Sequence, residues 1–192
     1  MKNIIKYNKS IILIISIIAF TSCKHQEKED AKETAEEHNK AKYNNSKEAK
    51  FLVEATEISY REIELGKLAQ NDGGSANIRE MGKMMETDHT ELIKEIKKLA
   101  NQKTITIPKE SSSRTEEIKN DLGSKEGNNF DKRYCDLMVD GQKEAIKKYK
   151  SASEDIADID IKNYAIKSLI VLRNHLDHAI TCKEAQKNYV VK

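Results

Sequence analysis

The chain has 192 residues, of which 34% are charged and 5% are aromatic, with one proline, seven glycines and no tryptophan. Its formal net charge is only +2, so it lacks the strongly basic character of nucleic-acid-binding domains, and we expect no nucleic-acid partner. Abundant Ala, Glu, Lys and Leu with almost no proline favour helix. The composition therefore predicts an all-α protein.

The first 23 residues follow the pattern of an export signal. Three lysines precede an apolar run from Ile11 to Phe20, and Thr21 and Ser22 lead to Cys23. The run has only about ten residues, whereas a membrane-spanning helix needs ~20. A basic start, a short apolar core and small residues before the cut are typical of a secretory signal.

A cysteine directly after the cut is typical of bacterial lipoproteins. We therefore expect residues 1–22 to be removed and Cys23 to carry acyl chains such as palmitate, so that the lipid anchor holds the protein on a membrane. Lys24 is not the aspartate associated with retention in the inner membrane. The expected location is the outer membrane, with the protein facing the periplasm or the cell surface.

Residues 23–46 are expected to be the lipidated cysteine and a flexible charged tether. The segment is rich in Lys, Glu, His and Asn and contains hardly an apolar side chain, so it cannot bury a core of its own. Because it also contains many helix formers, an extension of the first helix is the alternative. The folded domain is expected to span residues 47–192.

Two amphipathic helices are predicted in the first half of that domain. Apolar residues recur every three or four positions from Phe51 to Ala69 and again from Ile78 to Leu99, which is the helical period. The glycines at 73 and 74 are expected to end the first helix, and Ser75 to cap the second. An extended link from Thr104 to Pro108 follows.

The second half is predicted to contain one short and two long helices. Ser113 and Glu116 have capping-box spacing and open a short segment that ends at Leu122-Gly123. Long amphipathic helices follow over about 129–154 and after Asp158. Four long helices with short connections predict an antiparallel four-helix bundle, with a short extra helix between the second and third.

Three polar residues interrupt the apolar stripes near the middle of their helices: Glu62, His89 and His175. Inward-facing side chains on different helices build the metal sites of bundles, so these three could hold zinc, iron or copper. Asp88 or Asp140 would then orient one of the metal-bound histidines without itself contacting the metal. In the alternative, a histidine simply pairs with Glu62 in a structural hydrogen-bond network, and no cofactor is bound.

No enzyme motif is recognised. The sequence has no phosphate-binding glycine loop, no nucleophile motif and no Cys-x-x-Cys, so we do not expect an enzyme. In a hairpin that turns near Ile156, Cys135 would lie level with about position 177, several ångströms short of Cys182. This offset favours two buried free thiols, with a disulfide as the alternative.

Several short motifs resemble one known family. They are Glu62-Ile63-Glu64-Leu65-Gly66-Lys67-Leu68-Ala69, Met85 with Asp88-His89, Phe130-Asp131, Tyr134, Met138-Val139-Asp140, and Leu172-Arg173-Asn174-His175-Leu176. In this order they are similar to the domain of unknown function family 4142, over about residues 51–181. The resemblance implies a ferritin-like bundle, often described as an outer membrane protein, and supplies no settled activity.

The chain departs from that family at one position. Members usually carry a second Asp-His pair on the third long helix, where this sequence has Asp140-Gly141. The leading hypothesis is therefore a lipid-anchored, non-enzymatic envelope protein with a structural, stress-related or partner-binding role. The alternative is a metal-binding or metal-dependent redox protein that uses Glu62, His89 and His175.

Overall fold

The computed structural model describes residues 30–43 and 46–187. Within these residues the fold consists of α-helices without strands, as predicted: α1 (Ala31–Tyr43), α2 (Lys47–Asp72), α3 (Ala76–Lys103), α4 (Ser113–Gly123), α5 (Gly127–Asp155) and α6 (Ile159–Lys187). The expected signal over 1–22 and the lipidated Cys23 lie outside the described residues. No helix of the described part is long and apolar enough to cross a membrane.

The helix ends follow the local capping chemistry. Ser75 accepts a hydrogen bond from the amide of Ile78 and begins α3, and Asp158 accepts from the amide of Ile161 at the start of α6. The α4 cap differs from the prediction, because Ser112 rather than Ser113 is the N-cap residue. Glu57 of α2 holds Ser112 there through the Ser112 amide and hydroxyl.

Helix α1 corrects the expected flexible tether over its residues 31–43. Asp30 immediately precedes this helix, and its carboxylate accepts a hydrogen bond from the amide of Ser113 at 2.8 Å. Near its end, Asn39 exchanges two hydrogen bonds with the backbone of Thr106, at 2.7 and 3.0 Å. Ala35 and Asn39 are buried. The segment is therefore ordered by capping and polar docking, which need no apolar stripe.

The four long helices pack in two close pairs. Helix α2 lies along α3, α5 lies along α6, and further contacts join α2 to α5 and α3 to α6. The α2–α3 pair is closest at Gly66 and Gly82: a Cβ atom on either glycine would lie 2.6 Å from the carbonyl oxygen of the other. Two glycines thus allow the backbones to touch.

The α5–α6 hairpin turns later than the sequence predicts. Lys162 Nζ contacts the carbonyl of Glu154 near the turn, and Lys183 Nζ pairs with Asp136 at 2.6 Å near the far end. These two contacts join positions that are symmetric about residues 158–160 rather than about Ile156, and α6 begins only after the connection at residues 156–158. This shift removes the expected offset between Cys135 and Cys182, which are both free and buried.

Candidate functional site: a polar layer in the core

A polar layer divides the core of the four long helices. One hydrophobic cluster lies on one side of it and contains Ile58, Leu92, Ala145 and Leu172, and a second lies on the other side and contains Leu65, Met85, Met138 and Ala179. Between them each helix contributes one fully buried polar residue. These residues form the polar layer: Glu62 of α2, His89 of α3, Gln142 of α5 and His175 of α6.

Other buried polar side chains are accommodated differently. The hydroxyls of Thr56, Ser59 and Ser168 each donate to the carbonyl four residues earlier in the same helix. Such local bonds satisfy a hydroxyl without a partner on another helix. The side chains of the polar layer make no such bond to their own helix backbone, and their hydrogen-bond partners are the side chains of Arg61, Asp88 and Met85.

Glu62 is held by the residue that precedes it. Its Oε1 accepts from Arg61 Nη2 at 3.2 Å and from Arg61 Nε at 3.3 Å. Burial raises the pKa of Glu62 above its ordinary value, although the positive charge of Arg61 acts in the opposite direction. The predicted pairing of Glu62 with a histidine is therefore not the arrangement in the structure.

The two histidines lie side by side. The ring centroids of His89 and His175 are 5.4 Å apart, and His175 Nε2 is 2.8 Å from a carboxylate oxygen of Asp88. Burial lowers the pKa of both rings, for His89 well below its ordinary value. For His175 the hydrogen bond with Asp88 partly opposes this effect. Asp88 thus contacts the ring of His175, one of the histidines that it was predicted to orient.

Asp140, the other residue predicted to orient a histidine, lies elsewhere. Its side chain is exposed and lines a cavity of about 620 Å³ on the outside of α2 and α5. Arg61, Gly141 and Glu144 line the same cavity. Arg61 therefore reaches from this cavity to Glu62, and its second ion pair, with Glu144 at 3.5 Å, is on the cavity side.

Gly141 leaves space for the ion pair between Arg61 and Glu62. A Cβ atom at this position would lie 2.9 Å from Glu62 Oε1 and 3.2 Å from Arg61 Nη2. Here α5 presents bare backbone to the Arg61–Glu62 pair. The position at which the family resemblance leads one to expect a histidine is therefore filled from α2 by a guanidinium group.

Several polar atoms of the layer have no hydrogen-bond partner in the described part of the chain. They are Glu62 Oε2, both ring nitrogens of His89, Nδ1 of His175 and Oε1 of Gln142. A buried polar atom without a partner lowers the free energy of unfolding by about 1–3 kcal/mol, so the layer destabilises the core. Nevertheless, no three or more His, Cys, Asp or Glu side chains among residues 30–43 and 46–187 are grouped to hold a metal ion.

Two buried polar residues were not predicted as part of this region. Tyr134 is buried, burial and then the Glu62 charge raise its pKa well above the ordinary value, and its hydroxyl has no partner in the described part of the chain. Gln142 donates from Nε2 to the sulfur of Met85, with 3.7 Å between the atoms. The sequence pattern places Tyr134 on the apolar stripe of α5. Gln142 follows Gly141, the glycine that stands where the family resemblance predicts a histidine.

Comparison with protein families gave a match. The profile of the family described as Domain of unknown function (DUF4142) matches residues 32–181. The chain belongs to the DUF4142 family. The match begins within α1, so the DUF4142 domain includes most of the helix that the sequence analysis assigned to a tether. Neither the curated proteins nor the solved structures gave a match.

Proposed function

We propose that this DUF4142 protein is a lipid-anchored protein of the outer membrane that acts by binding a protein partner rather than by catalysis. The basic start, the short apolar run and Cys23 support the anchor. The pairing of the long helices supports an antiparallel four-helix bundle of the ferritin-like type. The partner-binding role is supported by one surface feature.

That feature is a group of exposed isoleucines on one face of α6. Ile159, Ile166 and Ile170 are 62%, 47% and 71% exposed, and spacings of seven and four residues place them on one side of the helix. Exposed apolar side chains that share one face of a helix mark an interaction site more often than scattered ones do. The occupant we propose is the apolar face of another envelope protein.

The partner-binding role is tested by the size of the complex that contains the protein. The native mass in a mild detergent extract is expected to exceed that of one chain, and the double variant Ile166→Glu, Ile170→Glu is expected to release the single chain. Asn120→Glu, which adds the same charge at an exposed position of α4, is the control. A single-chain mass for the unaltered protein would refute the role.

The lipid anchor has an independent test. Cys23→Ser should leave an unprocessed precursor that takes up no fatty-acid analogue in growing cells, whereas Cys135→Ser should be processed and labelled like the unaltered chain. Continued labelling of the Cys23→Ser variant would contradict the proposed anchor. Because this experiment reads only the N-terminus, its outcome is separate from that of the isoleucine variants.

The unpartnered atoms of the polar layer favour a second candidate function, which is binding of a transition metal. One carboxylate and two imidazoles, from Glu62, His89 and His175, suit zinc, iron or copper, and Asp88 already orients His175. These side chains are not grouped to hold an ion in the described arrangement. Metal binding would therefore require them to move together.

Metal analysis of the purified full chain separates this candidate from a purely structural layer. Stoichiometric zinc, iron or copper that is lost in the His89→Ala, His175→Ala double variant would support it. His38→Ala, a histidine on α1 whose ring contacts Thr106, is the matched control. A metal-free protein whose melting temperature is unchanged by added metal would exclude the metal site and leave the partner-binding proposal intact.

A further inference from the structure

Two thiols meet at the end of the core beyond the polar layer. Cys135 lies on α5 and Cys182 on α6, and both are free, buried thiols in the same hydrophobic cluster. The adjacent ion pair of Lys183 with Asp136, at 2.6 Å, holds the two helices in this register. Two sulfur atoms from different helices are thus placed within reach of one ligand.

A surface cavity reaches one of these two thiols, that of Cys182. It has a volume of about 270 Å³ and lies between α3 and α6, where Cys182 forms part of its wall. Its wall also contains Met81, Met84 and His178. We call this cavity the sulfur pocket. Cys182 and Met81 are 9% and 5% exposed, so both side chains belong to the core and border the pocket at its inner end.

The donor set around the pocket is soft. Thiolate and thioether sulfur suit Cu(I), Zn²⁺ and iron–sulfur clusters, whereas carboxylate and carbonyl oxygen suit Mg²⁺ and Ca²⁺. His178 precedes Cys182 by one helical turn and lies exposed at the pocket, where an imidazole can meet an arriving ion. This set differs in kind from the carboxylate and imidazoles of the polar layer.

We propose that the sulfur pocket admits a soft monovalent cation, Cu(I), and that the ion is bound by the thiolates of Cys135 and Cys182 with the thioether of Met81 as a third donor. Binding replaces the two S–H protons, which pass to water, and the copper stays in the +1 state, so no electron is transferred. Because three helices contribute donors, the ion links α3, α5 and α6.

Ordinary core packing is the alternative account of these residues, since buried cysteines and methionines often act as apolar filler. Two features distinguish the proposed site from filler. The two thiols lie level on neighbouring helices, beside the ion pair of Asp136 with Lys183, and the wall of the pocket that Cys182 borders contains further sulfur and imidazole donors. Filler predicts no difference between a methionine at the pocket and a methionine elsewhere in the core.

The test is an anaerobic titration of the reduced full chain with Cu(I) in the presence of a chromophoric Cu(I) chelator. The protein is expected to remove one equivalent of copper from the chelator, and Zn²⁺ in equal amount is not expected to compete. Loss of an outer-shell partner costs a metal site roughly 10–100-fold in affinity. Removal of a donor in Cys182→Ala or Cys135→Ala should therefore cost at least that much.

Matched methionine variants separate the loss of a copper ligand from a change in folding. Met81→Leu conserves volume and should weaken Cu(I) binding about tenfold, whereas Met138→Leu, a buried methionine outside the pocket, should leave it unchanged. The His89→Ala, His175→Ala variant should also bind normally. Retention of all copper by the chelator, or equal weakening by Met81→Leu and Met138→Leu, would overturn the proposal.

Discussion

The close approach of α2 and α3 gives a sharp prediction for Gly82→Ala. The added Cβ would lie 2.6 Å from the carbonyl oxygen of Gly66, 2.9 Å from Ala69 Cβ and 3.1 Å from the amide nitrogen of Gln70. Carbon and carbonyl oxygen atoms in close helix contacts are about 3.3 Å apart. The oxygen contact is therefore about 0.7 Å too short, and the atoms it meets are backbone atoms that cannot rotate away.

Two opposing effects set the size of the change. Alanine in place of glycine within a helix favours folding by roughly 0.5–1 kcal/mol. Overpacking a well-packed core costs about 1–3 kcal/mol and occasionally more, and contact with backbone belongs at the upper end of this range because the helices themselves must separate. We expect the free energy of unfolding to fall by about 2 kcal/mol.

The measurement is urea unfolding followed by circular dichroism, with a lower midpoint and an unchanged slope expected for Gly82→Ala. Gly123→Ala is the control, because its Cβ would meet only Leu68 Cδ2 at the ordinary distance of 3.7 Å. That variant should stay within about 0.5 kcal/mol of the unaltered chain. Equal stability of Gly82→Ala and Gly123→Ala would refute the close backbone contact.

Three further predictions concern polar contacts. Asp131→Ala should lower the free energy of unfolding by about 3 kcal/mol in urea melts, because it removes two charge-assisted bonds, of 2.7 and 3.0 Å, to backbone amides between α2 and α3; a loss below about 0.5 kcal/mol would contradict this. Asn39→Ala should cost only about 1 kcal/mol but speed amide exchange throughout α1, since the bonds to Thr106 dock that helix; unchanged exchange would show that α1 is held otherwise. Because burial, with the charges of nearby groups, lowers the pKa of His89, only the unfolded chain binds a proton there below about pH 6.5. Stability is therefore complete above that pH and falls as the pH drops. His89→Leu should flatten this fall by up to about 1.4 kcal/mol per pH unit, while the exposed control His178→Gln should not.

The sequence pattern predicted the long helices because each carries an apolar stripe at the helical period. It also placed Glu62, His89 and His175 in the interior, since each interrupts such a stripe between apolar neighbours. It missed α1 because the buried face of that helix is made by Ala35 and Asn39. A small residue and a polar residue leave no signal in a hydrophobic pattern.

The partners within the polar layer could not be predicted from spacing. Arg61 pairs with Glu62 because Gly141, on a different helix, leaves space for the guanidinium. That is a tertiary effect that no local pattern records. The level placement of Cys135 and Cys182 was missed for a related reason, because a turn displaced by about two residues changes which positions of two antiparallel helices face each other.

The proposed location of the protein rests on Cys23, and the intact mass of the protein purified from cell membranes tests it most directly. The proposal predicts a chain that begins at Cys23, lacks residues 1–22 and carries the added mass of a diacylglyceryl group and an acyl chain. A mass that matches an unmodified chain, or a chain that still begins at Met1, would contradict the lipid anchor.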